Sequence, residues 1–231
     1  DGTWTVKDGN VSLVQENGAW VAKLTGVSVL APQDASGYYT LGVTAYTVET
    51  SNHGIATSSA NFTVTVNGVA DTPTIDPTAV NNGSEDVPLL VNFNAQLLDL
   101  SESLSVTITG IPAGASFTDA AGNAVGAAGS GGTWVLQHSD LFNANLTAKS
   151  VYFLGNAHES GSWTMTALAT SRDSSADGQS HTTADSNIKT FTVTLAGVAD
   201  TPVLTLTDTA TGNEDTGIPV VISAATPDLV G

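Results

Sequence analysis

Apolar and polar residues alternate along several short segments, with an apolar side chain at every second position. The clearest cases are SLSVTITG at residues 103–110, WTMTALAT at 163–170 and KTFTVTLAG at 189–197. Because successive side chains of a β-strand point to opposite faces, this alternation predicts strands with one buried face. Further strands are predicted for the short apolar segments at residues 87–93, 115–118, 132–137 and 150–154.

One segment carries a helical signal. In SDLFNANL, at residues 139–146, Ser139 is placed to cap a single helical turn before the strand that follows. About seven short strands separated by turn residues, with little helix, are typical of an immunoglobulin-like β-sandwich. We therefore predict an all-β fold.

The chain contains a long internal repeat. The hexapeptide GVADTP occurs at residues 68–73 and again at 197–202, each time after FTVTV or FTVTL. A Glu-Asp pair follows each copy at matching distance, in GSED at 83–86 and in GNED at 212–215. Self-similarity at this interval indicates immunoglobulin-like sandwiches in tandem.

The repeat also predicts where the domains lie. We expect one complete repeat at residues 71–199, the back part of a preceding repeat at residues 1–70, and the front part of a following repeat at residues 200–231. Neighbouring repeats of the same chain are the expected partners. The two partial repeats carry complementary strands, so pairing with another copy of the chain is a further possibility.

The chain is strongly acidic. Its 22 Asp and Glu residues against 5 Lys and Arg give a net charge of −17, which argues against nucleic acid or an anionic membrane surface as a partner. The apolar segments are too short for membrane insertion. The absence of cysteine excludes disulfides and thiolate metal sites. A chain of this charge is expected to live with counter-cations, of which divalent ions are the most efficient.

Several motifs together resemble a known family. They are GVADTP, the Glu-Asp pair that opens each repeat, LSVTITGIPAGASFTD at residues 104–119, and GTW at 132–134. On these motifs the chain resembles the tandem immunoglobulin-like, cadherin-like extender repeats of giant RTX-type bacterial adhesins. The resemblance implies an extracellular, calcium-bound module at the bacterial cell surface that spaces a ligand-binding tip from the outer membrane.

The resemblance also implies one metal loop. The family pattern has Asp-x-Asp-Gly-Ser-Glu before the LSVTITG strand, and the matching stretch here is LLDLSESLSV. Asp99 and Glu102 are retained, whereas the Asp-Gly pair between them is not. The resemblance therefore implies Asp99 and Glu102 as calcium ligands in a shortened loop.

The repeated acids of the linker are the other candidate ligands for Ca²⁺, a cation that needs six to eight oxygen ligands in proteins. We expect a linker Asp to meet an acid of the Glu-Asp pair that follows it. The alternative is that these acids only shape solvated turns. The residues of the first set are Asp71, Glu85 and Asp86, and those of the second are Asp200, Glu214 and Asp215.

Two further features have competing explanations. The polar segment at residues 171–187 contains Asp173, Asp177 and Asp185, which offer ligands for a second ion, but a solvated hairpin turning at Asp177 and Gly178 is the preferred interpretation. The aromatic residues offer a sugar-stacking platform, yet several recur at equivalent repeat positions, which favours packing.

Catalysis has little support in the sequence. The histidines are scattered, and HESGS at residues 158–162 lacks the second histidine of a zinc-protease motif. No nucleophile elbow or phosphate-binding loop is present. We expect no enzyme.

The preferred function is a calcium-stiffened spacer of a bacterial surface adhesin, acting in adhesion or biofilm formation. The alternatives are a module near the adhesin tip that binds a glycan or peptide, and a split domain that hosts an insertion or pairs by strand complementation.

Overall fold

The computed structural model describes residues 11–206 and 208–226, and nearly every regular element in these ranges is a β-strand. The predicted all-β fold is confirmed. The chain separates into two compact units, with the division after Val66. None of the helices in the described ranges is long and apolar enough to cross a membrane.

The first unit consists of two antiparallel hairpins. Strand β1 (Val11–Glu16) pairs with β2 (Ala19–Leu24), and β3 (Gly37–Val48) pairs with β4 (Ile55–Val66). No residue between 11 and 66 is buried, so these hairpins have no enclosed core of their own.

The second unit contains two sheets. The first has the strand order β5-β14-β12-β7-β10-β9, with β13 paired to one end of β12, and the second has the order β6-β11-β8. A separate hairpin, β15–β16, follows. The strands are β5 (Val80–Ser84), β6 (Leu89–Val91), β7 (Ser103–Thr109), β8 (Ser116–Thr118), β9 (Ala127–Ala128), β10 (Thr133–Leu136), β11 (Val151–Leu154), β12 (Gly161–Ser174), β13 (His181–Asp185), β14 (Lys189–Ala196), β15 (Val203–Leu206) and β16 (Ile222–Ala225).

The core lies between these two sheets. Phe117 and Phe153, from the smaller sheet, are fully buried and pack edge to face with ring centroids 5.6 Å apart. Phe117 also contacts Trp134 of the larger sheet, and Phe93 meets Phe191 edge-on at 5.9 Å. Aromatic pairs in this geometry add to the free energy of area burial, so this cluster is the main source of packing stability in the unit.

The seven predicted strands of the complete repeat are all present. The alternation behind them extends further than predicted in β12, where every second side chain from Met165 to Asp173 is buried. Ser171 and Asp173 therefore occupy inward positions on the same face as the apolar residues. Strand β5 was missed because VNNGS is polar, and it pairs in parallel with β14.

The predicted helical turn starts earlier than expected. Helix α1 spans His138–Leu141, and its N-cap is Gln137 rather than Ser139. The backbone N–H of Gln137 donates a hydrogen bond to the carboxylate of Asp140 at 2.8 Å, which satisfies a donor at the start of the turn. The ring of His138 accepts the backbone N–H of Leu104 at 3.1 Å, so this histidine has a structural contact.

Backbone pairings recur at the interval of the sequence repeat. Thr74 pairs with Gln96, and Val203 pairs with Ala225, each residue 129 positions after its counterpart. Strand β3 pairs with β4 in the same register as β12 with β14. The division into repeats at 1–70, 71–199 and 200–231 stays a prediction.

The aromatic core gives a stability prediction. Phe117→Ala should lower the free energy of unfolding by about 3–5 kcal/mol, because it removes a fully buried ring and leaves a cavity. Chemical denaturation of the two proteins measures this difference. As a control, Ile188→Ala removes a side chain that is 65% exposed and should change stability by about 0.5 kcal/mol at most. Equal effects of the two substitutions would contradict this description of the core.

Candidate metal centre

Three carboxylates are buried together at one end of the larger sheet. Asp99, Glu102 and Asp173 are only 6%, 4% and 3% exposed, and one oxygen of each lies within 4.8 Å of the others. Asp99 and Glu102 lie in the turn before β7, and Asp173 lies near the end of β12. Strands β7 and β12 pair with Ser103 opposite Arg172, and this register brings the turn and Asp173 together.

Each of the three carboxylates accepts at least one hydrogen bond. Ser101 donates its N–H and its hydroxyl to the two oxygens of Asp99, at 2.8 and 2.7 Å. Ser174 donates its N–H to Asp173 at 2.7 Å, and Asp71 donates its N–H to Oε1 of Glu102 at 2.6 Å. Oε2 of Glu102 is buried without a hydrogen-bond partner. A buried group left unsatisfied costs about 1–3 kcal/mol, so this oxygen is available to a ligand.

The charge of the cluster is uncompensated. Among residues 11–206 and 208–226, no Lys, Arg or His forms an ion pair with any of the three carboxylates. Burial raises the pKa of Glu102, and the negative charges of Asp71, Asp99 and Asp173 raise it further, against the lowering effect of the Asp71 N–H. At pH values above the ordinary pKa of glutamate, Glu102 therefore destabilises the folded state unless a cation or a proton joins the cluster.

The donor set fits a hard divalent cation. All donors are oxygens, which Ca²⁺ and Mg²⁺ prefer, whereas zinc and copper favour imidazole or thiolate ligands. The buried, unpartnered Oε2 of Glu102 and the two neighbouring carboxylates are the groups that would hold it.

The linker lies directly against this cluster. Besides the hydrogen bond from its N–H to Glu102, Asp71 accepts the hydroxyl of Ser171 on its carbonyl oxygen at 2.5 Å. Ala70 donates its N–H to the hydroxyl of Thr182 on β13 at 2.7 Å. The backbone before the complete repeat is thus joined both to the carboxylates and to the sheet beneath them.

A second group of titratable side chains lies around the second copy of the hexapeptide. Nδ1 of His158 is 2.5 Å from Oδ2 of Asp200 and 3.4 Å from Oδ2 of Asp86, and the backbone N–H of His158 donates to Asp86 at 2.9 Å. These side chains are about one-third exposed. This group contains an imidazole, which carries a positive charge when protonated, and so differs from the all-carboxylate cluster.

The structure distributes the predicted acids differently from the expected pairs. In the described ranges, neither group of clustered titratable side chains brings the carboxylate of Asp71 together with Glu85 or Asp86. Instead, Glu85 accepts the N–H of Val198 at 2.5 Å, and Asp86 lies near Asp200. The reason is the parallel pairing of β5 with β14, which places the residues after both strands at the same edge.

The remaining predicted ligands stay apart from these groups. Glu214 and Asp215 are exposed and belong to neither cluster of the described residues. In the polar segment, Asp177 accepts hydrogen bonds from Ser175 and Gln179 within a hairpin turn, and these contacts hold its pKa below the ordinary value. Asp185 accepts the hydroxyl of Thr170 at 2.7 Å. Only Asp173 of this segment joins the buried cluster.

Sequence reasoning treated Asp173 as part of a polar loop and did not connect it with Asp99 and Glu102. The signal that identifies it is the alternation of β12, which places residue 173 on the inward face two positions after Ser171. An acid at an inward strand position is unusual, because a buried carboxylate requires a partner.

The aromatic residues of the second unit mostly pack. Trp134 is 9% exposed and donates its indole N–H to the carbonyl of Val125 at 2.9 Å. Trp163 packs against the core beside Phe153, with ring centroids 6.3 Å apart. Both indole rings therefore take part in packing against the core.

The raised pKa of Glu102 gives a test with opposite outcomes in two buffers. Because the ionised carboxylate destabilises the cation-free fold at pH 7, Glu102→Gln should raise the melting temperature in excess chelator. Each 1 kcal/mol gained in the free energy of unfolding raises the melting temperature by about 2–4 °C for a domain of this size. With millimolar calcium the same substitution should lower the melting temperature, because a ligand oxygen with its charge is lost.

Glu159→Gln is the matched control for this test, since Glu159 is partly exposed and outside the cluster. It should leave both melting temperatures nearly unchanged. A Glu102→Gln protein that melts lower than the parent in chelator would show that the carboxylate is not a source of strain. Lowering the pH of the cation-free parent through the raised pKa should remove the same destabilisation, because the protonated carboxyl is neutral.

Comparison with known proteins adds no family assignment. No protein-family model and no curated protein matches the chain. The buried carboxylates, the linker that contacts them and the repeat are the features of the chain that indicate a function.

Proposed function

We propose that this chain is a calcium-stiffened spacer segment of a bacterial cell-surface adhesin. The observation that carries the proposal is the buried, oxygen-only cluster of Asp99, Glu102 and Asp173, to which the linker residue Asp71 is hydrogen-bonded. A cation held there neutralises the carboxylates and keeps the linker on the sheet. The activity of the segment is mechanical, because it restrains bending where one repeat follows another.

The choice of calcium follows from the ligands and the fold. Ca²⁺ accepts irregular sets of six to eight oxygens, whereas Mg²⁺ demands near-ideal octahedral geometry and gives up its waters reluctantly. A site assembled from a turn, a strand end and a linker has no octahedral arrangement imposed on it. Calcium is therefore the cation that this arrangement accommodates best.

The expected stabilisation is sufficient for the proposed role. Extracellular calcium modules have dissociation constants of about 10⁻⁴ to 10⁻³ M. Free calcium at 100 times the dissociation constant stabilises the bound fold by about 2.7 kcal/mol. Calcium is scarce in the cytoplasm and abundant outside, so the segment would become rigid only after export.

The cell-surface location is supported by sequence motifs and by composition. The motifs GVADTP and LSVTITG resemble adhesin extender repeats, and the chain has a net charge of −17 with no cysteine. Such a chain depends on cations rather than disulfides for additional stability.

A thermal melt tests calcium binding. Calcium at about 10 mM, which is about 100 times a dissociation constant of 10⁻⁴ M, should raise the melting temperature by about 5–10 °C over excess chelator, from the expected stabilisation and the usual entropy of a domain of this size. Magnesium at the same concentration should raise it much less. Asp173→Asn should abolish most of the calcium-dependent rise, because the substitution removes a buried ligand charge.

The control for this melt is Asp177→Asn, which changes an acid four residues away that lies in the hairpin turn rather than in the cluster. It should keep the full calcium-dependent rise. A rise that is absent in the parent, or that survives Asp173→Asn, would contradict the calcium centre.

The stiffening itself is measured separately. Since the chain has no cysteine, Ser58→Cys and Ser130→Cys provide two unique exposed attachment points for spin labels, one in each unit. The distribution of label distances should narrow when calcium replaces chelator and should stay broad in the Asp173→Asn protein. If calcium binds but the distribution of label distances does not narrow, the spacer mechanism is rejected and the metal centre is retained.

A further inference from the structure

The linker backbone packs against a carboxylate of the candidate metal centre at Gly68. A Cβ atom at this position would lie 2.0 Å from Oδ2, 2.2 Å from Cγ and 2.4 Å from Oδ1 of Asp173. These distances are far inside van der Waals contact. The φ of Gly68 lies outside the left-handed region, so close approach rather than backbone conformation requires glycine here.

The second copy of the same hexapeptide lacks this constraint. At Gly197 the nearest atoms to an added Cβ are Oγ of Ser160 at 3.4 Å and Oε1 of Glu85 at 3.7 Å, which are ordinary contacts. Its φ is also outside the left-handed region. The two glycines thus open the same hexapeptide in different surroundings, which makes Gly197 an internal control for Gly68.

The contacts on either side of Gly68 lead from the sheet to the carboxylates. The hydroxyl of Thr182 lies 3.5 Å from the carbonyl oxygen of Gly68 and accepts the N–H of Ala70. One residue further along, the N–H of Asp71 donates to Glu102. Between residues 68 and 71 the linker therefore contacts β13 and two of the three buried carboxylates.

We propose that Gly68 is a positioning residue for the cation, because its missing side chain lets the linker close over Asp173 while Asp71 holds Glu102. Occupancy of the centre and docking of residues 68–71 are then one coupled equilibrium. The coupling is reciprocal. A change that prevents docking of the linker lowers the affinity for the cation by the same factor by which loss of the cation weakens docking. This inference rests on the proposed calcium centre and adds the linker backbone to it.

The primary test compares Gly68→Ala with Gly197→Ala in calorimetric titrations with calcium chloride. Gly68→Ala should weaken calcium binding by roughly tenfold or more, because overpacking displaces the linker or the Asp173 carboxylate. Gly197→Ala should change the affinity by about twofold at most, since its Cβ meets only ordinary contacts. Equal affinities of the two variants would overturn the proposal.

A second measurement separates positioning from general destabilisation. Calcium should protect the amides of Ala70 and Asp71 from hydrogen exchange in the parent and in Gly197→Ala, because both amides are hydrogen-bonded in the docked linker. Gly68→Ala should lose this calcium-dependent protection while the amides of β7 stay protected. Retained protection at residues 70 and 71 would reject the coupling.

The steric origin is tested without any metal. In excess chelator, the Gly68→Ala protein should melt at a lower temperature than the parent. In an Asp173→Ala background, the same substitution should have little effect, because the carboxylate that the new Cβ would meet is absent. Additive effects of the two substitutions would show that the close approach to Asp173 is not the cause.

The outcomes distinguish this inference from the proposed function. If the parent chain gives no calcium-binding heat, the calcium centre is rejected and the role of Gly68 in it falls too. If the parent binds calcium and the two alanine variants bind equally well, only the positioning role is rejected.

Discussion

Burial of like charges beside one another is the constraint on which the rest of this molecule depends. Asp99, Glu102 and Asp173 lie in the protein interior with no positively charged side chain among the described residues to balance them. Coulombic repulsion is strong where water is excluded, and one carboxylate oxygen has no partner at all. An external cation bound among these groups would offset the repulsion between them.

The architecture supplies this cluster from elements far apart in sequence. Alternation in β12 places Asp173 on the inward face. The pairing of β12 with β7 places the turn that contains Asp99 and Glu102 next to it. The linker then adds a backbone donor on one carboxylate and a close backbone approach to another. All three parts converge at one edge of the larger sheet. A ligand bound there would therefore restrain the linker.

The repeated hexapeptide has different surroundings in its two copies. Around residues 68–71 it lies on buried carboxylates and on β13, whereas around residues 197–200 it contacts Glu85, Asp86 and His158. The parallel pairing of β5 with β14 explains the second set of contacts, because it brings the ends of both strands to the same edge. An identical motif thus contacts a buried carboxylate cluster in one copy and a group that contains histidine in the other.

The sequence by itself determined the strands and the acidic character, because the period of two in segments such as SLSVTITG is a local property of the chain. It also pointed to Asp71, Asp99 and Glu102 as candidate ligands. It did not connect Asp173 with them, and it expected Asp71 to meet Glu85 or Asp86. Those pairings depend on strand order and register, which are set by contacts between residues distant in the chain. Only the tertiary structure decided which acids share a site, because electrostatic interaction depends on separation in space rather than along the sequence.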